Sequence, residues 1–288
     1  MMRRRWMILV GIIFILALGI GLTLGLWDYH HPFSWPDLPP LEYGWPEADH
    51  ILQVLPSDAS FDFLNLERLR QNDDGWLQWK QGREEFLYGQ SWDIIDSWCQ
   101  YWFHGSDGCI HSLSLSHGRF DSASVASVLD QGCSSTYEYR CIRIWRGDQE
   151  SMALVNGIMI TGDETHVQRC LDVAQGESPS AFDNDSVRGL LGHLIKGNEF
   201  SFMPLSGCGR TTANCVYGEA STVVDDWGIE TDVYGYYDPE AANAGALEVQ
   251  RNIGPNDSDQ VRRKVERDGV YVVITAVRRS EQHVDPVI

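Results

Sequence analysis

Hydrophobic and polar positions after residue 57 switch repeatedly between a period of two, typical of strands, and a period of 3.6, typical of helices. Phe61 and Phe63 share one side of a predicted strand over Ser60–Leu66. The segments 76–87 and 92–102 carry apolar stripes at helical spacing and are predicted as helices. The mixture indicates an α+β domain over 57–279, with a largely antiparallel sheet.

The pattern is clearest in segment 109–176. A strand leads to Asp121, a residue type that caps helix N-termini, and an apolar helical face follows. Two strands then meet at Asn156–Gly157, which tolerates the positive φ of a tight hairpin turn. A helix over Thr165–Ala174 ends at Gly176. This order predicts a helix packed on one face of an antiparallel sheet.

The segment 221–279 follows a similar order of strand, helix and hairpin. His117–Asp121 and Tyr234–Asp238 each join an aromatic residue to an Asp that begins a helix. We therefore predict two related strand–helix–strand units, 109–176 and 221–279. An aromatic residue before a capping Asp is also a common way to begin a helix, so coincidence is the alternative.

The N-terminal segment 6–27 carries no charge, and about 20 helical residues span the ~30 Å hydrocarbon core of a bilayer. Arg3, Arg4 and Arg5 in the tail 1–5 predict a cytoplasmic N-terminus by the positive-inside rule. We expect a single-pass membrane protein whose bulk is extracytoplasmic. A cleaved secretory signal is the alternative, but the apolar stretch is longer than a usual signal core.

Small residues recur every four positions on one face of this segment, at Ala17, Gly21 and Gly25. That spacing lets two transmembrane helices approach closely, which indicates an integral-membrane protein partner. The competing interpretation is that glycine is simply frequent in membrane helices.

Six of the eleven prolines lie between residues 28 and 56, where they favour extended and turn conformations. We predict that 28–56 is a juxtamembrane stalk and that 280–288 is a flexible tail. Five Trp residues in 76–102 suggest a sugar-binding surface, but their helical spacing favours core packing.

Composition narrows the class of partner. The chain has 22 Lys+Arg against 41 Asp+Glu, a formal net charge of -19, which repels a phosphate backbone. Nucleic acid is therefore not expected as a partner. The hydrophobic content of 43% is too high for a disordered acidic chain, so a folded acidic domain is predicted.

Seven cysteines follow the predicted anchor, in a compartment that permits oxidation. Short loops separate the members of three sequence-local pairs, although sequence alone does not assign the pairing. Cys170 is left over and is predicted as a buried free thiol. The disulfide candidates are Cys99 with Cys109, Cys133 with Cys141, and Cys208 with Cys215.

Common catalytic motifs are absent from the sequence, including those of serine hydrolases, zinc proteases and nucleotide-binding loops. We predict no cofactor and no metal site. Asp183–Asp185 and Asn256–Asp259 offer oxygen atoms for Ca²⁺, but helix capping and turn formation explain these clusters more simply. A cation-handling envelope protein therefore stays the weakest of three functional interpretations.

A hydrolase with paired carboxylates is the second interpretation, because its two acids come from positions that no local motif marks. Asp225 with Asp226, or Glu230 with Asp232, could supply such a pair. They could equally be turn and surface residues.

The stretch Leu154–Ile195 resembles a segment of an uncharacterised bacterial family of membrane-anchored extracytoplasmic proteins. The similarity rests on a hairpin strand that ends in Gly162-Asp163-Glu164 and on the linker Gly176–Ser180 between two helices. The resemblance implies an anchored extracytoplasmic module and brings no catalytic residues. The expected function is a non-catalytic binding protein, or an accessory subunit of a membrane complex.

Overall fold

The computed structural model describes residues 38, 40–71, 76–77, 92–104, 110–205, 215–224, 227–253 and 261–279. Contacts divide the chain between Pro39 and Pro40, and every element named below belongs to the second unit. The predicted tail 1–5, the anchor 6–27 and the tail 280–288 lie outside the described residues. Within the described part, no helix is long and apolar enough to cross a membrane.

The architecture is α+β and is built on one large antiparallel sheet, as predicted. Within the described ranges, twelve strands pair in the order β11-β12-β10-β9-β8-β1-β2-β3-β7-β6-β5-β4. Their bounds are β1 Ser60–Asn65, β2 Ile95–His104, β3 Ile110–Gly118, β4 Ser135–Tyr139, β5 Ile142–Arg146, β6 Ser151–Val155, β7 Ile158–Gly162, β8 Glu199–Leu205, β9 Cys215–Val224, β10 Trp227–Gly235, β11 Val261–Asp268 and β12 Tyr271–Arg279.

Helices lie before, between and after these strands. Two 3-10 turns, Pro46–Ala48 and Trp92–Ile94, precede α1 and β2. The α-helices are α1 Asp49–Leu52, α2 Leu66–Leu69, α3 Ser122–Gly132, α4 Glu164–Ala174, α5 Asp185–Leu191 and α6 Pro239–Ile253.

The strand order is arranged in the same way on both sides of the central pair β1–β8. The meander β1-β2-β3 leads into α3, and the chain then returns to pair β7 with β3. The meander β8-β9-β10 leads into α6, and the chain returns to pair β12 with β10. Asp121 accepts a hydrogen bond from the backbone of α3, and Asp238 accepts one from the backbone of α6. The segments 109–176 and 221–279 thus each contain a strand, an Asp-capped helix and returning strands.

One face of the sheet, here called the core face, carries the main hydrophobic core. Phe61, Phe63, Phe200 and Phe202 are fully buried on it, because alternate residues of β1 and β8 point to the same side. The rings of Phe63 and Phe200 are stacked with centroids 5.1 Å apart. Helix α4 lies on this face, where Arg169 donates a hydrogen bond to the hydroxyl of Tyr101.

The other face, here called the opposite face, is covered by helices near both ends of the sheet. Helix α3 packs Val125 and Leu129 against side chains of β5, β6 and β7. Helix α6 packs Ala242 and Ala246 against side chains of β10, β11 and β12. The strands between these two helix-covered regions carry the polar side chains discussed below.

The helix predicted over 92–102 is wrong, because this segment forms a 3-10 turn followed by strand β2. Ile95, Ser97, Cys99 and Tyr101 are buried with a strict period of two. The serine conceals this period, because it places a polar residue at a buried position. Trp98 and Trp102 lie on the opposite face, and their spacing produced the apparent helical stripe. Of the other predicted helix, 76–87, only Trp76 and Leu77 are described, and both are helical.

The stalk predicted over 28–56 is wrong for residues 40–56, which belong to the folded unit. Trp45 is 3% exposed and packs against Phe200, with ring centroids 4.7 Å apart. Ile51 and Leu55 are fully buried. The prolines do not prevent this packing, because Pro46 begins a 3-10 turn, where its fixed φ is favourable.

Candidate functional site

A row of polar side chains crosses the opposite face from β7 to β10, the strands on which helices α3 and α6 begin to cover the sheet. Its members are direct cross-strand partners on seven neighbouring strands, so the row is about 29 Å long. We call it the polar row; in spatial order it consists of Thr161, Ser114, Gln100, Asp62, Ser201, Glu219 and Asp232. Antiparallel sheets commonly carry polar residues on the face away from the core, and here this pattern continues without interruption across seven strands.

Asp62 lies near the middle of the polar row and accepts two hydrogen bonds. Trp102 donates from its indole nitrogen to Oδ2 at 2.7 Å, and Ser201 donates from its hydroxyl to Oδ1 at 2.6 Å. The carboxylate therefore connects the side chains of strands β2, β1 and β8. Trp102 is 36% exposed, so part of its ring remains open to solvent beside this carboxylate. Trp102 was one of the Trp residues expected to pack in the core, but it lies instead at the surface of the opposite face.

Tyr217 lies at the β10 end of the polar row, between two carboxylates. Its hydroxyl is 2.7 Å from Oδ1 of Asp232 and 2.5 Å from Oε2 of Glu219. Its ring packs against Tyr234 with centroids 4.9 Å apart. The register places Glu219 directly opposite Asp232, which brings two acidic side chains together on neighbouring strands.

Burial changes the titration of this group. Desolvation raises the pKa of Asp232 above its usual value, because a charged carboxylate is disfavoured away from water. A hydrogen bond donated by Tyr217 to the ionised carboxylate and the charge of Arg263 act in the other direction, while the neighbouring acids Glu230 and Glu219 add to the increase. Burial is also the main reason that the pKa of Tyr217 is raised.

A cavity of about 540 Å³ adjoins this end of the polar row. Its volume is within the range of small-ligand sites. Polar side chains of β8, β9 and β10 and arginines of β11 and β12 line it. The lining includes Glu199, Ser221, Glu230, Asp232, Arg263 and Arg278.

Of the predicted acid pairs, the structure brings Glu230 and Asp232 to the same cavity. They are two positions apart on β10, so both side chains point to the opposite face, with Cα atoms about 7 Å apart. Glu230 is exposed, whereas Asp232 is half-buried. Asp225 and Asp226 lie outside the described residues.

Cys133 and Cys141 are free thiols, so this predicted pairing is wrong in the structure. Cys133 precedes strand β4 and Cys141 follows it, which separates the two residues by about 20 Å of extended chain. Cys99 is also a free thiol, and it is buried. Its predicted partner Cys109 lies outside the described residues. Cys208 lies outside them too, and the structure gives no description of the Cys215 side chain.

Cys170 is a buried free thiol, as the sequence predicts. Burial raises its pKa to about 12, and burial likewise raises the pKa of Cys99 well above the usual value. The charge of each thiolate would be unfavourable in these positions, so both thiols stay protonated and unreactive at neutral pH.

The acidic cluster at 183–185 has a structural role in the described structure. Asp183 accepts a hydrogen bond from the hydroxyl of Ser180, and Asn184 caps helix α5 by accepting one from Ser186. Among the described residues, no group of three or more His, Cys, Asp or Glu side chains is placed to hold a metal ion. The second cluster, 256–259, lies outside the described residues, as do the predicted membrane-helix packing residues Ala17, Gly21 and Gly25.

Most residues of the polar row were not predicted from the sequence. The alternation in Ser60–Asn65 places Asp62 between Phe61 and Phe63, on the side away from the core, and this was a readable signal. Ser201 lies between Phe200 and Phe202 in the same way. The pairing of these residues depends on the register of strands that are distant in the chain, which no local pattern specifies.

Comparisons with known proteins add little to this geometry. No family model and no curated protein matches the chain. Among solved structures, crystal form I of TP0453 has a TM-score of 0.44, with 9% identity over 80% of this chain and 92% of that one. Crystal form III has a TM-score of 0.41, with 10% identity over 80% and 94%, respectively. Crystal form IV has a TM-score of 0.41, with 8% identity over 84% and 94%, respectively.

Proposed function

We propose that this protein is a membrane-anchored, extracytoplasmic binding protein that holds a polar ligand against the opposite face of its sheet. The observation that carries the proposal is that the polar row ends at a cavity. Polar groups that are partly removed from water cost free energy unless they are hydrogen-bonded. A sheet face that keeps seven polar side chains in line, six of them at least partly buried, is consistent with a surface that serves recognition.

The chemistry of the row favours a ligand rich in hydrogen-bond donors. Carboxylates accept hydrogen bonds. The hydroxyls of Ser114 and Ser201 can each donate and accept, and so can the amide of Gln100. A hydroxylated or amine-bearing molecule satisfies such groups, whereas an anionic ligand is repelled by the acidic side chains. The exposed part of the Trp102 ring adds an apolar surface beside them.

The membrane part of the proposal rests on the sequence. The uncharged segment 6–27 serves as a single-pass anchor, with the arginine-rich tail 1–5 in the cytoplasm. The face formed by Ala17, Gly21 and Gly25 contacts a helix of an integral-membrane partner, which makes the protein an accessory subunit. Protease treatment of intact cells tests the orientation, and protection of the region after residue 40 contradicts it.

Site-specific photo-crosslinking in native membranes tests the binding face. A photoreactive amino acid at Val223, which is 66% exposed and lines the cavity, is expected to form an adduct with the ligand. The matched control position is Leu247, which is 46% exposed on α6 and does not line the cavity. Adduct formation at both positions, or at neither, argues against a ligand in the cavity.

A second function is favoured by one specific observation, the presence of Glu230 and Asp232 in one cavity. Glycoside hydrolases use two carboxyl groups, of which one is kept protonated by its surroundings. Burial raises the pKa of Asp232, which suits a general acid, and Glu230 is exposed to water on the same face. Binding is the preferred proposal because it requires only the observed lining of the cavity.

Hydrolysis is tested by measuring the release of reducing ends from a panel of polysaccharides. The wild-type protein, Asp232→Asn and Glu230→Gln are compared, with Glu199→Gln as a control that changes another cavity carboxylate. A hydrolase loses activity in the first two variants and keeps it in the third. Absence of activity in the wild-type protein leaves binding as the function.

A further inference from the structure

The hydroxyl of Tyr217 is within hydrogen-bonding distance of two carboxyl groups at once. It is 2.7 Å from Oδ1 of Asp232 and 2.5 Å from Oε2 of Glu219. A tyrosine hydroxyl has one hydrogen and donates one hydrogen bond, and an ionised carboxylate is an acceptor only. Two ionised carboxylates therefore leave one of these short contacts without a hydrogen.

Ionisation of both acids is also unfavourable because of their positions. Glu219 and Asp232 are direct cross-strand partners on β9 and β10, and like charges in such pairs destabilise a sheet. One additional proton removes both difficulties, because it neutralises one acid and supplies the missing hydrogen.

The surroundings decide which acid holds the proton. Glu219 is exposed to water, whereas Asp232 is half-buried and opposite the buried side chain of Ile274 on β12. A neutral acid is favoured where water is excluded. The charged groups that share the site are Glu230, Glu199, Arg263 and Arg278, which line the same cavity. Helix α6 packs nearby with apolar side chains, Ala242 and Ala246, and Tyr234 contacts Tyr217.

We propose that Asp232 is a neutral carboxylic acid at pH 7, which donates a hydrogen bond to Tyr217 while Tyr217 donates one to Glu219. The three side chains form a directional chain of hydrogen bonds that ends at the exposed carboxylate. Loss of the Asp232 proton adds a negative charge to the cavity and breaks the chain. The opposite face is thereby sensitive to pH, whichever ligand it binds.

Infrared difference spectroscopy of the full-length protein in detergent micelles tests the protonation state. The carbonyl stretch of a protonated carboxyl group is expected in the wild-type protein at pH 7 and is expected to be lost in Asp232→Asn. Asp62→Asn is the matched control, since Asp62 belongs to the same polar row but accepts hydrogen bonds from Trp102 and Ser201. Absence of the band in the wild-type protein, or its persistence in Asp232→Asn, overturns the proposal.

Thermal unfolding provides a second readout. If the pKa of the Asp232 carboxyl is higher in the folded than in the unfolded protein, its protonated form stabilises the folded state. This stabilisation is fully present below the unfolded pKa of about 4 and is lost as pH rises through the folded pKa. The melting temperature of Asp232→Asn is therefore expected to equal or exceed that of the wild-type protein at pH 8, and this advantage shrinks towards pH 4. A lower melting temperature of Asp232→Asn throughout this range contradicts the proposal. These readouts require no ligand, so their outcome is separate from that of the crosslinking test.

Discussion

The indole nitrogen of Trp102 on β2 donates a hydrogen bond of 2.7 Å to Oδ2 of Asp62 on β1. The two residues lie on neighbouring strands in the middle of the opposite face, and Trp102 is two residues from Gln100, the direct cross-strand partner of Asp62. The contact links the aromatic surface of the candidate site to its central carboxylate. It also gives Trp102 a defined orientation, although a third of its surface is open to solvent.

Replacement of Trp102 by phenylalanine removes the donor and keeps a ring. We expect a loss of about 1 kcal/mol in the free energy of unfolding, because Asp62 keeps its second donor, Ser201. Chemical denaturation of the full-length protein in detergent measures the change. In an Asp62→Ala background the same substitution is expected to cost much less, and equal costs in both backgrounds contradict an energetic role for the bond.

The hairpin between β6 and β7 depends on Gly157, whose φ is +74°. Gly157→Ala is expected to reduce stability by about 1 kcal/mol, because residues with a Cβ atom are disfavoured in this region. Gly132→Ala is the matched control, since Gly132 ends α3 and has open space around the position of a Cβ atom. This control is expected to be neutral or to stabilise by up to about 1 kcal/mol. Equal destabilisation by both substitutions contradicts the argument from φ.

Predictions of turns and helix caps succeeded where the chemistry is local. Asn156–Gly157 forms the expected turn, with both residues at positive φ, and Asp121 and Asp238 cap the expected helices. These features depend on the conformations that a few adjacent residues allow, so the sequence contains all the necessary information.

Strand β2 and the candidate site depend on contacts that are distant in the sequence. The chain buries Ser97 because its neighbours in the sheet require that position to point inward, and no local pattern reveals this. Asp62 and Ser201 are 139 positions apart, and their pairing follows from the alignment of β1 with β8. Individual acids were therefore identified as candidates, while the row that joins them was not predicted.

Helix α5 approaches the core face of the sheet closely at Gly218. A Cβ atom at this position would lie 2.3 Å from Cδ2 of Leu190, a distance that requires the helix or the side chain to shift. We expect Gly218→Ala to reduce stability by about 1 to 3 kcal/mol, because added atoms in a packed core force such shifts. Thermal or chemical denaturation measures this loss.

Leu190→Ala provides the control for Gly218→Ala. In this background the added methyl group occupies the space that the leucine vacates, so the second substitution is expected to cost less than in the wild-type protein. A cost that is unchanged by the removal of Leu190 shows that the helix does not limit the space at Gly218.

Thiol accessibility distinguishes the described cysteines. Cys141 is exposed in the turn between β4 and β5, whereas Cys170 is buried with a pKa raised to about 12. A maleimide reagent is expected to modify Cys141 in the native protein and Cys170 only after denaturation. Mass spectrometry of peptides locates the modification, and Cys141→Ser removes the rapid reaction at this site. Rapid native labelling of Cys170 contradicts its burial.

The pairing of β1 with β8 also affects the order in which the protein can assemble. Ribosomes deliver the chain from its N-terminus, so the first meander is complete long before Ser201 is available to meet Asp62. Until then, β1 presents an unsatisfied backbone edge to its surroundings. The nascent chain must keep this edge apart from other chains during synthesis, so the interval between the two halves is the stage at which aggregation is most favoured.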